Sequence, residues 1–160
     1  MARTLLVSAL LLIAGCATPR QDAKFSFEQT VKLHLASAEL HGNERTKLLE
    51  RVAGEYERFL KTYRDQPYWC AQALRSLGNV RAEQGDLAGA VKLYRRVGEQ
   101  YPQQDWEVLQ AWKSAADLLW DAGRQAEARV FYRQIVHRFD NPDVSAVVET
   151  VVRAARRRVG

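Results

Sequence analysis

Ala71 to Pro102 reads AQALRSLGNVRAEQGDLAGAVKLYRRVGEQYP, and its spacing decides the fold. Leu74, Leu77, Gly78 and Arg81 recur at helical intervals, and so do Ala90, Tyr94 and Val97. Gly85-Asp86 separates the two runs as a turn, and Pro102 closes the second. The pattern predicts two amphipathic helices folded back on one another. Gly78 and Ala90 are small where the two helices cross at close range. Tyr94 has the bulk to fill the space between this hairpin and a neighbour.

The unit recurs. Gly85, Ala90, Tyr94, Val97 and Tyr101 are each followed 38 positions later by Gly123, Ala128, Tyr132, Ile135 and Phe139. Counting back from Gly123, Trp112, Ala115, Ala116 and Leu119 occupy the first helix of that second copy. Its extra residues fall in the loop and helix start around Gln103 to Glu107. Tyr56, Phe59 and Tyr63 precede Tyr94, Val97 and Tyr101 by the same interval, so an earlier hairpin belongs to the series, with Val52 in place of the small Ala90. Its first helix is expected from Phe25 to His41, with Phe27, Val31, Leu35 and Ala38 on one face. A break at His41-Gly42-Asn43-Glu44 leads to a second helix from Thr46 to Tyr63, striped by Leu48, Leu49, Val52, Tyr56, Phe59, Leu60 and Tyr63. Asp65-Gln66-Pro67 ends it. After the last hairpin, Asn141-Pro142-Asp143 signals one more helix, Asp143 to Val159. Val144, Val147, Val148, Val151 and Val152 would cover the open end of the stack. The expected hairpins are about 25–65, 68–103 and 105–140, within a repeat domain 25–142 followed by a capping helix over 143–160.

Residues Leu74, Leu77, Gly78, Ala90, Tyr94 and Pro102 fall where the tetratricopeptide repeat, with a period of about 34 residues, places its large, Leu, Gly, Ala, aromatic and Pro positions. The chain resembles that family. Trp112 stands at the position where the family prefers Trp. Arg81 is a departure, because an aromatic is usual there. The resemblance implies an all-α, right-handed α-solenoid of about three helical hairpins plus a C-terminal cap.

The N-terminus carries a different message. Arg3 precedes the apolar run Leu5 to Ile13, which is too short to span a bilayer and reads as a secretory signal over 1–15. Ile13-Ala14-Gly15-Cys16 resembles the lipobox of bacterial lipoproteins. That resemblance implies cleavage after Gly15 and diacylglycerol on the Cys16 thiol, with several acyl chains giving firm anchoring. Ala17, rather than Asp, implies sorting to the outer membrane, facing the periplasm. Residues 16–24 then read as a lipidated polar tether containing Pro19. With Cys16 acylated, Cys70 has no partner in the chain. It reads as a small packing residue, with a reactive or intermolecular thiol as the other reading.

Charge and motif content exclude more than they assign. The chain has 160 residues, 47% hydrophobic and 27% charged, which suits one soluble domain with a core. A net charge of +5 permits anionic contacts without demanding nucleic acid. No HExxH, GxSxG, P-loop or dinucleotide fingerprint is present. His34, His41 and His137 are scattered and read as surface or rim residues. Asp117 and Asp121 lie one turn apart, as carboxylates on helical surfaces often do. Neither a catalytic residue, nor a metal site, nor a cofactor is expected, and the chain reads as a non-enzyme.

Binding is what remains. In the tetratricopeptide family the first helices line a concave groove. The positions that the family turns inward are here Gln72, Arg75, Asn79, Ala82 and Glu83, then Gln110, Lys113, Asp117, Trp120 and Asp121. Trp120 is either an exposed anchor for a partner or a residue covered by the last helix. The lipobox together with tandem hairpins is similar to the small lipoprotein subunit of the outer-membrane β-barrel assembly machine, and to the repeat domain of the Tol–Pal-associated coordinator. That likeness implies a scaffold or adaptor for an envelope protein or peptide. A binder of peptidoglycan or lipopolysaccharide through the Arg153–Arg158 end is the alternative; as a simpler reading, those cations offset the helix dipole.

Overall fold

The computed structural model describes residues 19–160; Cys16, the signal over 1–15 and the lipobox lie outside the described residues. Among the described residues seven α-helices follow in order: α1 (Pro19–Ala36), α2 (Gly42–Thr62), α3 (Pro67–Glu83), α4 (Leu87–Gln100), α5 (Asp105–Asp121), α6 (Gln125–Phe139) and α7 (Ala146–Val159). A short 3-10 turn, Ser37–Glu39, follows α1. No strand occurs among the described residues. Each helix packs on the next in sequence, and α3 also touches α1 and α5. This is an all-α solenoid of tetratricopeptide type. The first helices of the hairpins, α1, α3 and α5, form one layer, and α2, α4 and α6 form the other, with α7 packed on α6.

Local chemistry explains the repeated turn. Gly85 and Gly123 both take positive φ, 81° and 75°, a backbone that only glycine adopts without strain. In each case the next amide returns to the fifth residue back: Asp86 to the Arg81 carbonyl at 2.9 Å, and Arg124 to the Leu119 carbonyl at 2.8 Å. That closure satisfies carbonyls the helix end would otherwise leave bare. Asp86 then caps α4 by accepting the Gly89 amide at 2.8 Å.

Close approach explains the other glycines that matter. A Cβ on Gly78 would lie 2.6 Å from the Tyr94 ring, and one on Gly98 would lie 2.7 Å from the Trp112 ring. Gly78 thus seats the tyrosine of its own hairpin, and Gly98 seats the tryptophan of the next. The core is continuous from Phe27, which meets Phe59 and Trp69, to Val152 and Ala155 on α7. Val52, at the place of Ala90, is fully buried.

The two ends depart from the sequence reading. α1 begins at Pro19, so Arg20 to Lys24, expected as tether, is helix, and Ala23 is buried. The buried face of α1 is Ala23, Phe27, Thr30 and, past its end, Ser37, while Leu35 is 68% exposed and Ala38 is also exposed. The alternating spacing of four and three holds one face, whereas successive steps of four drift around the helix. The break lies at Ser37 to His41, and α2 already starts at Gly42. At the other end Asn141 accepts the Asp143 amide at 2.9 Å and makes a turn rather than a helix start. Ser145 is the cap, and α7 starts at Ala146. Val147, expected inside, is 58% exposed, and the burial falls on Val152 and Ala155.

Candidate functional site

The inner layer of α1, α3 and α5 carries the residues expected to line a groove; Lys113 and Asp117 bond to each other, and Arg75, Asn79 and Glu83 bond to residues outside that set. Arg75 donates from Nε to Glu107 Oε2 at 2.6 Å, joining α3 to α5. Glu107 is 5% exposed, so this pair is largely withdrawn from water. Glu83 accepts Arg45 at 2.7 Å and lies 2.9 Å from His34 Nε2, tying the end of α3 to α1 and α2. His34 is half-buried and edge-on to Tyr56, so it belongs to this layer and is not a rim residue. Lys113 pairs with Asp117 at 2.5 Å.

Two of the residues do structural work behind the surface. Asn79 Oδ1 accepts the Tyr94 hydroxyl at 2.8 Å, and Asp117 Oδ1 accepts the Tyr132 hydroxyl at 2.8 Å. Burial pushes Tyr94 up to about 12. Tyr132 is raised as well, first by burial and then by its bond to Asp117. Gln72 and Gln110, one repeat apart, are half-exposed and make no side-chain hydrogen bond among the described residues. Asp121 is exposed at the end of α5.

Trp120 is half-covered by the basic end of the chain. The Arg158 guanidinium lies 4.0 Å from its ring centroid, the Arg129 guanidinium lies at 5.6 Å, and Tyr132 packs edge-on. Arg129 also donates to the Arg158 carbonyl at 3.2 Å. The run Arg153–Arg158 is therefore engaged with its own chain: Arg153 pairs with Glu149, Arg156 with Asp140, and Arg158 with Trp120. Arg156 holds the Asp140 carboxyl below its usual range.

Glu107 and Arg138 were not legible as functional or structural partners in the sequence. Glu107 sits in the inserted loop-and-start region, where spacing assigns no face. Arg138 donates to Asp105 at 2.7 Å and to the Pro102 carbonyl, and stacks near Trp112 and Phe139, so it clamps the lengthened α4–α5 loop. Cys70 is fully buried, and its Sγ donates to the Tyr63 carbonyl at 3.0 Å. Burial raises its thiol pKa, which keeps it protonated. Among the described residues no cluster of His, Cys, Asp and Glu could hold a metal, and no helix is long and apolar enough to cross a membrane.

Residues 72–103, the α3–α4 hairpin, match the tetratricopeptide repeat family. The match supports a tetratricopeptide-repeat protein, and repeats of this kind are typically non-enzymatic scaffolds that bind peptides or proteins. No curated protein matches the chain.

Proposed function

We propose that this protein is a lipid-anchored adaptor of the bacterial outer membrane, facing the periplasm, whose inner helical layer holds an extended peptide of an envelope partner. The observation that carries the binding part is the pair Gln72 and Gln110. Each is a half-exposed amide with no bond within the described chain, one repeat from the other, on adjoining helices. Amides in such a register can each donate to and accept from a peptide backbone, while the flanking ion pairs keep the face polar without large net charge. The anchoring part rests on the sequence Ile13-Ala14-Gly15-Cys16. Acylation of Cys16, three positions before α1 begins, would hold the N-terminal end of that helix close to the bilayer. The alternative of polymer binding through Arg153–Arg158 draws less support, because three of those four arginines are already engaged with the chain itself.

Two measurements test this. Metabolic labelling with palmitate should mark the wild type and not Cys16→Ser, with the label fractionating with the outer membrane. Photo-crosslinking from position 110 in the native envelope should capture one protein, and Gln72→Ala with Lys113→Glu should abolish that product. Label retained by Cys16→Ser would refute the anchor, and capture of glycan or lipopolysaccharide alone would refute the adaptor.

A further inference from the structure

The outer layer carries a second recognition surface, on the opposite side from the glutamine pair. Between α2 and α4 lies an open groove of about 560 Å³. Leu60, Leu77 and Leu93 form its floor. Lys61 on one wall and Lys92 and Arg96 on the other form its rim, and Glu57, the one carboxylate in the lining, is paired with Arg81. None of these three cations has an acidic partner among the described residues; Arg96 reaches only Gln100, at 3.4 Å. Lys92 and Arg96 are one helical turn apart and therefore share a face of α4.

The groove follows from Arg81. An aromatic is usual at that position of the repeat, but Arg81 turns to Glu57 at 3.0 Å and to Gln84 at 3.0 Å, along the groove's edge. One repeat later the same positions hold Leu119 for Arg81, Phe131 for Leu93, Val130 for Lys92, Gln134 for Arg96 and Glu99 for Lys61. There Leu119 and Phe131 are each 1% exposed, and the Arg95 guanidinium covers the Phe131 ring at 5.6 Å. An opening of about 590 Å³ also borders α6, lined by Trp112, Val130, Arg133, Gln134, His137 and Arg138. There Val130 and Gln134 stand where the α2–α4 groove has Lys92 and Arg96, so the repeat does not require cations at those two positions.

We infer that the α2–α4 groove binds an acidic peptide segment of a partner, with an aliphatic side chain on the Leu60–Leu77–Leu93 floor and carboxylates on Lys61, Lys92 and Arg96. The cations stand on both walls and are spread along one of them. A single carboxylate would engage one wall, whereas a peptide with several acidic side chains meets all three. The volume suits one or two buried side chains with the rest of the segment lying across the mouth. This site is independent of the inner face.

The test uses the full chain and a fluorescein-labelled synthetic peptide of about twelve residues, Glu and Leu in amphipathic helical order, followed by fluorescence anisotropy. Saturable binding is expected, weakened at least about tenfold by Lys92→Glu with Arg96→Glu and weakened further by salt. Lys113→Glu on the inner face should leave it unchanged, and a Lys–Leu peptide of the same pattern should not bind. Circular dichroism of the double variant should match the wild type, since both side chains reach solvent. Absence of saturable binding, or equal binding by the double variant, would overturn the proposal. So would charge-dependent binding to phosphatidylglycerol vesicles without binding to the peptide, which would make the groove a lipid site.

Discussion

Tyr94 and Tyr132 occupy the same place in successive hairpins and make the same bond, each hydroxyl donating at 2.8 Å to a side-chain oxygen fifteen positions earlier, on Asn79 and Asp117. Tyr56 is the third tyrosine of the series. Its hydroxyl is buried beside Ser76 but makes no hydrogen bond of acceptable geometry among the described residues, and the position fifteen earlier is His41, at the cap of α2.

This difference predicts opposite outcomes for one substitution. Tyr94→Phe removes a satisfied bond and should cost about 1 kcal/mol. Tyr56→Phe removes a hydroxyl buried at a desolvation cost, and should be neutral or stabilising. Urea midpoints of the two variants, at unchanged slope, check the pair.

The buried tyrosines also set an alkaline limit. Burial pushes Tyr56 and Tyr94 up to about 12. In the unfolded chain tyrosine ionises near 10. Between those values the unfolded state holds fewer protons, so stability falls as pH rises, by up to about 2–3 kcal/mol for each of the two. Stability measured at pH 9 and at pH 11.5 should show the decline, and Tyr94→Phe should make it shallower.

Glycines at contact and glycines in open space should respond with opposite signs. Gly78→Ala and Gly98→Ala each force a methyl into an aromatic ring and should cost about 1–3 kcal/mol. Gly54, inside α2, has nothing within 4 Å of its would-be Cβ. Gly54→Ala should stabilise by about 0.5–1 kcal/mol, as helix interiors favour alanine over glycine. Thermal melts of the three variants decide this.

The Arg75–Glu107 pair carries stability as well as surface charge. Arg75→Ala leaves a carboxylate only 5% exposed without its partner and should cost about 3 kcal/mol. Pairing this change with Glu107→Gln should recover much of that loss in a double-mutant cycle. Loss of partner binding on Arg75→Ala would therefore mix unfolding with recognition, and Lys113→Glu is the cleaner probe of the face.

The hairpins were legible because their period is carried by residues with steric necessity. Gly85 and Gly123 must turn, Gly78 must admit a ring, and Tyr94 and Tyr132 must fill one. The ends were less legible. Both the expected face of α1 and that of α7 misplaced an apolar residue, Leu35 and Val147, because a terminal helix has a neighbour on one side only and tolerates apolar exposure on the other. Of the proposed inner face, the positions came from the repeat register, but the partners of its charges did not. Glu107 lies after an insertion that breaks the register, so no count along the chain brings it to Arg75.

The amino-acid sequence by itself determined that this chain folds as stacked helical hairpins, since helix-forming stripes and turns recur at one interval and each hairpin buries its apolar face only against the next. Tertiary structure alone decided which side chains remain available. Trp120 could be an anchor or a covered ring until α7 set Arg158 over it. Lys61, Lys92 and Arg96 are ordinary surface cations along the chain, and rim a groove only because α2 and α4 both pack on α3 and leave Leu77 between them. Pairing between charges depends on distances across helices, which no local pattern encodes.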